Sequence, residues 1–279
     1  MFLTGKARIA GVIGWPVSHS RSPRLHGHWL KTYGIDGAYV PLAVPPARIE
    51  DAIRALPALG FAGVNVTVPH KEAALRLADD VDDFARRLGA ANTLVVKPDG
   101  RIAASNSDAF GFMENLRQRA PGFRANAGPV IVLGSGGAAR AVVVALADAG
   151  APEIRIVNRT LARAEGLCHL APGVARAVPW PDMAAALADA VLLVNTTSLG
   201  MEGQPPLDID LGRLPPHALV NDIVYTPLET PLLAAAAARG NPVVDGLGML
   251  LHQARPGFKA WFGREPEVTD DLRRAVLVP

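Results

Sequence analysis

The hydrophobic pattern is clearest between residues 63 and 77, GVNVTVPHKEAALRL. Val64, Val66 and Val68 alternate with Asn65 and Thr67, so the valines take one side of an extended segment and the polar pair the other. Pro69 suits the first position of a helix, where a missing N–H costs nothing, and Lys71 falls in the first turn. Short apolar runs at 7–13, 38–44, 91–96, 129–133, 153–157, 189–195, 218–223 and 242–245 predict further strands. Helices are predicted over 23–33, 46–59, 71–78, 109–119, 138–149, 231–239 and 249–262, with Gly34, Gly60, Gly150 and Gly240 among the stops. The Lys97-Pro98-Asp99-Gly100 turn makes 93–104 a hairpin, and 79–88, acidic and then basic, reads as solvated surface. Strands alternating with helices predict an α/β fold.

Composition narrows the function classes. The 279 residues allow two domains, and 49% hydrophobic against 19% charged residues suits a well-buried core. Lys and Arg exceed Asp and Glu by 28 − 26 = 2, with no dense basic run, which argues against a nucleic-acid partner. The single cysteine, Cys168, excludes an intrachain disulfide framework and a CxxC metal site, and suits a reducing compartment. The seven histidines include no HExxH, so no metal is expected. No long apolar run precedes the first strand, and runs such as 232–238 are too short to span a bilayer. The expectation is a soluble cytoplasmic protein without a membrane partner, as a monomer or homodimer.

Candidate chemistry gathers where strands run out. In VSHSRSP, Ser22-Pro23 reads as an N-cap followed by proline at the first helical position. That places Ser20 and Ser22 at a helix N-terminus, where hydroxyls and free N–H groups suit a carboxylate or phosphate. A loop serine plus an ordinary cap serves equally well here. Lys71, with Asn65 and Thr67, stands at the mouth of a strand, either facing a small polar substrate or as a solvated lysine. Asp108 precedes the helix at 109–119, either as a cap or as a charged partner for Lys71.

The second half is more specific. The strand at 129–133 runs directly into Gly134, Ser135, Gly136, Gly137, Ala138 and Ala139, in which positions 134, 136 and 139 fit GxGxx(G/A). A helix and a second strand follow in the order that a dinucleotide-binding unit requires. At the end of that second strand an NAD site usually has a carboxylate; here stand Asn158, Arg159 and Thr160, with Arg163 a turn further. Guanidinium groups select the 2′-phosphate of NADP. Thr196, Thr197 and Ser198 follow the strand at 189–195, where the nicotinamide end should lie.

Taken together, SHSRSP (18–23), NVTVPHK (65–71), AANTL (90–94), NSDAFG (106–111), GSGGAAR (134–140), NRT with Arg163, NTTSLGM (195–201) and DGLGMLLHQA (245–254) resemble the shikimate dehydrogenases over nearly the whole chain. The resemblance implies an N-terminal α/β substrate domain, residues 1–109, rejoined by C-terminal helices from 248–279. A Rossmann-type, doubly wound NADP-binding domain, 110–247, lies between. It implies that Ser20 and Ser22 bind the substrate carboxylate. Asn65, Thr67, Asn92, Asp108, Tyr225 and Gln253 would hold the rest of the substrate, with Lys71 and Asp108 as the catalytic pair. Cofactor contacts extend by the same resemblance to Ile223, Gly246 and Met249. The implied reaction is the reversible NADPH-dependent reduction of 3-dehydroshikimate to shikimate in aromatic amino acid biosynthesis. A quinate/shikimate dehydrogenase and a non-catalytic NADP-binding regulator are the alternatives; retention of Lys71 and Asp108 counts against the second.

Overall fold

The computed structural model describes residues 3–278. In chain order its main elements are β1 (Arg8–Gly14), α1 (Ser22–Thr32), β2 (Gly37–Ala43), α2 (Ile49–Ala55), β3 (Phe61–Val66), α3 (Lys71–Leu77), β4 (Asp80–Val81), α4 (Asp83–Leu88), β5 (Thr93–Val96) and β6 (Ile102–Ser105). There follow α5 (Asp108–Arg119), β7 (Val130–Leu133), α6 (Gly137–Asp148), β8 (Ile154–Asn158), α7 (Leu161–Glu165), β9 (Ala175–Pro179), α8 (Met183–Leu187) and β10 (Leu192–Asn195). The chain ends with β11 (Leu219–Asp222), α9 (Pro231–Ala238), β12 (Val243–Val244), α10 (Leu247–Phe262) and α11 (Asp270–Leu277). Two compact units result: one holds the residues up to Ser107 and those from Leu251 onward, the other Asp108–Leu250.

The first unit is built on a sheet in the order β2-β1-β3-β5-β6-β4. β1, β2 and β3 run parallel, and the β5–β6 hairpin joins antiparallel to β3. Ile13, Val64, Val66, Leu94 and Ile102 pack together with Ile53 and Leu56 from the α2 region. Returning through α10, the chain seals this sheet. Trp261 Nε1 donates to the Leu94 carbonyl at 3.0 Å. Gly63 makes the approach possible, since a Cβ there would lie 2.1 Å from Leu94 O and 2.3 Å from Trp261 Nε1.

The second unit is a parallel sheet in the order β12-β11-β10-β7-β8-β9. Counted within the unit this is the doubly wound order 3-2-1-4-5-6, with its reversal between β7 and β10. Val130–Leu133 and Leu192–Asn195 are buried on both faces, as strands covered by helices on each side must be.

Several local expectations need correction. Pro69 does not start a helix: the chain leaves β3 after Val66, turns through residues 67–70, and α3 begins at Lys71. Val68, expected to be buried with the other valines, is 68% exposed because it lies in that turn. Ser22 is not the cap of α1. Arg21 holds that position, Ser22 is the first helical residue, and Ser20 Oγ accepts from the Ser22 N–H at 3.3 Å. Asp108 is the first residue of α5 rather than its cap. Residues 79–88 are mostly solvated, as expected, with only Ala85 and Leu88 buried. They form β4 and α4, with Asp82 capping α4 and Asp80 paired to Lys97 and Arg101.

Candidate active site

β3 delivers Asn65 into a buried chain of polar groups. Its register partners are Val12 of β1 and Thr93 of β5. The Tyr39 phenol donates to Asn65 Oδ1 at 2.7 Å. Asn65 Nδ2 donates to the Asn92 carbonyl at 3.1 Å and to Thr93 Oγ1 at 3.3 Å. Thr93 Oγ1 in turn donates to Asn92 Oδ1, which also accepts from the Ser107 N–H and hydroxyl. Asn92 Nδ2 lies 3.4 Å from Gln253 Oε1, a side chain carried in by α10. Burial raises the Tyr39 pKa, and the adjacent Ser22 hydroxyl partly opposes that rise. His26 stacks on the Tyr39 ring with centroids 3.9 Å apart. Burial lowers the His26 pKa to about 3. Ser22, Asn65, Asn92 and Gln253 are thereby brought together. Tyr39 and His26 belong to the same cluster, and nothing in the local pattern singles either of them out.

Beyond Val66 the His70 N–H closes a turn onto the Thr67 carbonyl at 2.9 Å. Thr67 stays tied to β1 through its N–H to Ile13 O at 2.9 Å, and Gly14 leaves room for its methyl group. His70 is buried with Nε2 2.8 Å from the Val44 carbonyl, which pins the turn from the other side. Lys71 opens α3 half-buried, and its carbonyl accepts from the Ala91 N–H at 2.9 Å. The turn therefore holds Lys71 next to the segment, just before β5, that carries Asn92. Asp108 is buried and directly follows Ser107, the residue that bonds Asn92.

In the second unit, Gly134 leaves β7 at φ +105°, a conformation that favours glycine. A Cβ there would meet Thr196 Oγ1 and Thr197 Cγ2 at 2.9 Å, whereas Cβ atoms on Gly136 and Gly137 would meet nothing within 4 Å. The first glycine thus allows two loops to pack. The other two leave open the approach to the N-terminus of α6, with Ser135 and Ala138 half-buried and Ala139 buried beside them. Thr196 Oγ1 donates to Leu133 O at 2.5 Å, and Asn195 Oδ1 accepts from the Thr197 N–H at 3.0 Å and hydroxyl at 2.8 Å. Ser198 is exposed at the tip. Behind this loop Asp222 is fully buried, accepting from Asn195 Nδ2 at 3.0 Å, the Val224 N–H at 3.0 Å and Thr230 Oγ1 at 2.7 Å. Burial raises its pKa against those three hydrogen bonds. Half-buried Ile223 and Tyr225 follow, and Gly246 packs so closely that a Cβ would fall 2.2 Å from Ile223 O. Met249 is buried within α10.

At the end of β8, Asn158 Nδ2 donates to the Thr160 carbonyl at 2.9 Å and shapes a turn that leaves Arg159 and Arg163 exposed. No carboxylate occurs between 154 and 164. An open glycine cradle with two guanidinium groups at the neighbouring strand end fits NADP, whose 2′-phosphate needs cationic donors. Among the described residues no cluster of His, Cys, Asp or Glu is arranged to hold a metal ion, and no helix is long and apolar enough to cross a membrane.

A doubly wound sheet with a glycine loop at its first strand, in one chain with an α/β unit that gathers serine, asparagine and glutamine side chains, defines a dinucleotide-dependent oxidoreductase of small polar substrates. Family models match three stretches: "Shikimate dehydrogenase substrate binding domain" over residues 12–94, "Shikimate / quinate 5-dehydrogenase" over 116–200, and "Shikimate 5'-dehydrogenase C-terminal domain" over 246–277. The chain belongs to the shikimate dehydrogenase family. It is 62% identical to the shikimate dehydrogenase (NADP(+)) of Paramagnetospirillum magneticum, over 99% of this chain and 100% of that protein. With the corresponding protein of Rhodospirillum rubrum the identity is 63%, over 99% of each. The Thermus thermophilus shikimate 5-dehydrogenase in complex with NADP(H) and shikimate is 38% identical with a TM-score of 0.86, covering 96% of this chain and 98% of that one. The Corynebacterium glutamicum quinate dehydrogenase in complex with NAD is 31% identical with a TM-score of 0.91, covering 97% and 99%.

Proposed function

We propose that this chain catalyses the reversible NADPH-dependent reduction of 3-dehydroshikimate to shikimate, a step of aromatic amino acid biosynthesis. The observation that carries the reading is the hydrogen-bonded set Tyr39–Asn65–Asn92–Gln253, with Ser22 buried beside Tyr39, next to the turn that presents Lys71. Such a set suits a small carboxylated polyol. Ser20 and Ser22 would bind the carboxylate. Asn65, Thr67, Asn92, Tyr225 and Gln253 would bind the hydroxyls and the reacting carbonyl.

The glycine loop from Gly134 to Ala139, the segment Asn158–Thr160 with Arg163, Thr196–Ser198, Ile223, Gly246 and Met249 would hold NADP(H). When bound, NADPH supplies the hydride. As the carbonyl oxygen gains negative charge, the Lys71 ammonium stabilises it and donates the proton that completes the alcohol. Asp108 would orient Lys71 and a substrate hydroxyl. A cytoplasmic monomer or homodimer is the working state in this reading, and the lone Cys168 accords with a reducing compartment.

A quinate-oxidising reading draws on the likeness to the Corynebacterium enzyme. The Arg159/Arg163 pair and the Ser20-x-Ser22 pair favour shikimate with NADP. Ratios of kcat/KM for shikimate and quinate, each with NADP and NAD, decide between them. Shikimate with NADP should dominate; a higher value for quinate or for NAD moves the chain to the other reading.

A further inference from the structure

The fold fixes which way the Asn65 amide points. Its Nδ2 faces the Asn92 backbone carbonyl at 3.1 Å, and a carbonyl can only accept. Turning the amide round would set two acceptors against each other, so the assignment follows from the network. The second N–H points to Thr93 Oγ1 at 3.3 Å, whose own proton goes to Asn92 Oδ1 at 2.9 Å. Both Asn65 hydrogens are therefore used inside the protein. Oδ1 takes the Tyr39 proton at 2.7 Å and keeps one lone pair.

Tyr39 is held in turn. The His26 ring stacks on it with planes only 6° apart. His26 is fully buried and is also in ring contact with Trp29, Phe258 and Trp261. Neither of its ring nitrogens finds a hydrogen-bond partner among the described residues. Without a polar partner the imidazole acts as a flat packing plate. It sits on α1 four residues after Ser22, so a single helix carries both the expected carboxylate contact and the plate behind Tyr39.

We propose that Asn65 meets the substrate solely as a hydrogen-bond acceptor, and that Tyr39, clamped by the His26 ring, is the positioning residue that holds it so. The proposal rests on the shikimate reading above. The ring hydroxyl that reaches Asn65 must then donate, and a group of similar size that cannot donate is rejected there.

The test uses the full chain as wild type, Tyr39→Phe and His26→Ala, in steady-state kinetics with NADP. Substrates are shikimate and two analogues, each with fluorine in place of one non-reacting ring hydroxyl; fluorine cannot donate. Wild type should lose about tenfold in kcat/KM with one of the analogues. Tyr39→Phe should raise the shikimate KM about three- to tenfold, with kcat and the NADP KM held within about twofold. The penalty for that same analogue should shrink in Tyr39→Phe, because both changes strike one hydrogen-bond chain. His26→Ala, which removes the plate, should raise the shikimate KM in the same direction as Tyr39→Phe. Tolerance of both fluoro analogues by wild type, an unchanged shikimate KM in Tyr39→Phe, or a loss spread equally over kcat and the NADP KM overturns the proposal. A His26→Ala protein that folds and keeps the wild-type shikimate KM overturns the clamp. If that variant does not fold, Tyr39→Phe decides alone, since it removes only one oxygen. Wild type that turns over no shikimate at all overturns the substrate reading itself.

Discussion

Lys71 owes its position to a turn and not to a proline-started helix. The chain spends residues 67–70 reversing out of the sheet, so the lysine becomes the first residue of α3, anchored through its carbonyl to Ala91. Replacing it with alanine should lower turnover by about 10²–10⁴ while NADPH binding, followed by fluorescence titration, stays at the wild-type level. Near wild-type turnover would remove Lys71 from the chemistry. Arg159→Ala should weaken NADP about ten- to hundredfold and NAD far less, since a charged hydrogen bond to the 2′-phosphate is lost only for NADP. Equal losses would mean that Arg159 does not read the 2′-phosphate.

His26 gives a pH prediction. Unfolded, it takes a proton as pH falls below 6.5; folded, it resists until about 3. Its share of stability is therefore complete above 6.5 and is lost progressively between 6.5 and 3, at up to about 1.4 kcal/mol per pH unit. Urea unfolding at pH 7 and pH 5 should show a smaller loss in His26→Phe, by up to about 2 kcal/mol; identical losses would contradict the assignment. Lys71, Asn65 and Asn92 are legible in the sequence because short motifs carry them. His26 and Tyr39 are not, because their roles come from a ring contact between a helix and a strand, which no local period records.

At the scale of elements, the loop after β10 depends on Asp222. Its carboxylate gathers donors from Asn195, Val224 and Thr230, and Asn195 in turn shapes Thr197. Asp222→Ala would leave buried donors unpaired, at about 1–3 kcal/mol each. The variant should melt well below wild type and bind NADP more weakly. An unchanged melting temperature would show that the carboxylate is not what organises this loop. The strands of the second unit are legible because parallel strands covered on both faces become continuous apolar runs, as in Pro129–Leu133. α7 and α8 escape such a reading because each is only five residues long, too short to display a helical period, and β9 because Arg176 interrupts its apolar run. Val68 shows the opposite error, in which alternation continued on paper after the backbone had left the sheet.

For the whole molecule, the chain enters the second unit at Asp108 and leaves it after Leu250. A placement of these joints after 109 and after 247 is what the resemblance to the shikimate dehydrogenases implies, and no linker composition marks them. The same motif made NADP legible, because a glycine loop followed by arginines at the next strand end states both the diphosphate and the 2′-phosphate chemically. Saturating NADP should therefore stabilise the protein by about 2.7 kcal/mol at a hundred times its Kd. Thermal melting with NADP and NAD at equal concentration should show the larger shift with NADP. Equal shifts would argue against a phosphate-reading site.

The most direct measurement is the initial rate of NADPH formation when the purified protein is given shikimate and NADP. The account predicts sustained, enzyme-dependent NADPH production that falls sharply when NAD replaces NADP. No NADPH formation from shikimate, with the protein folded and NADP bound, would contradict it.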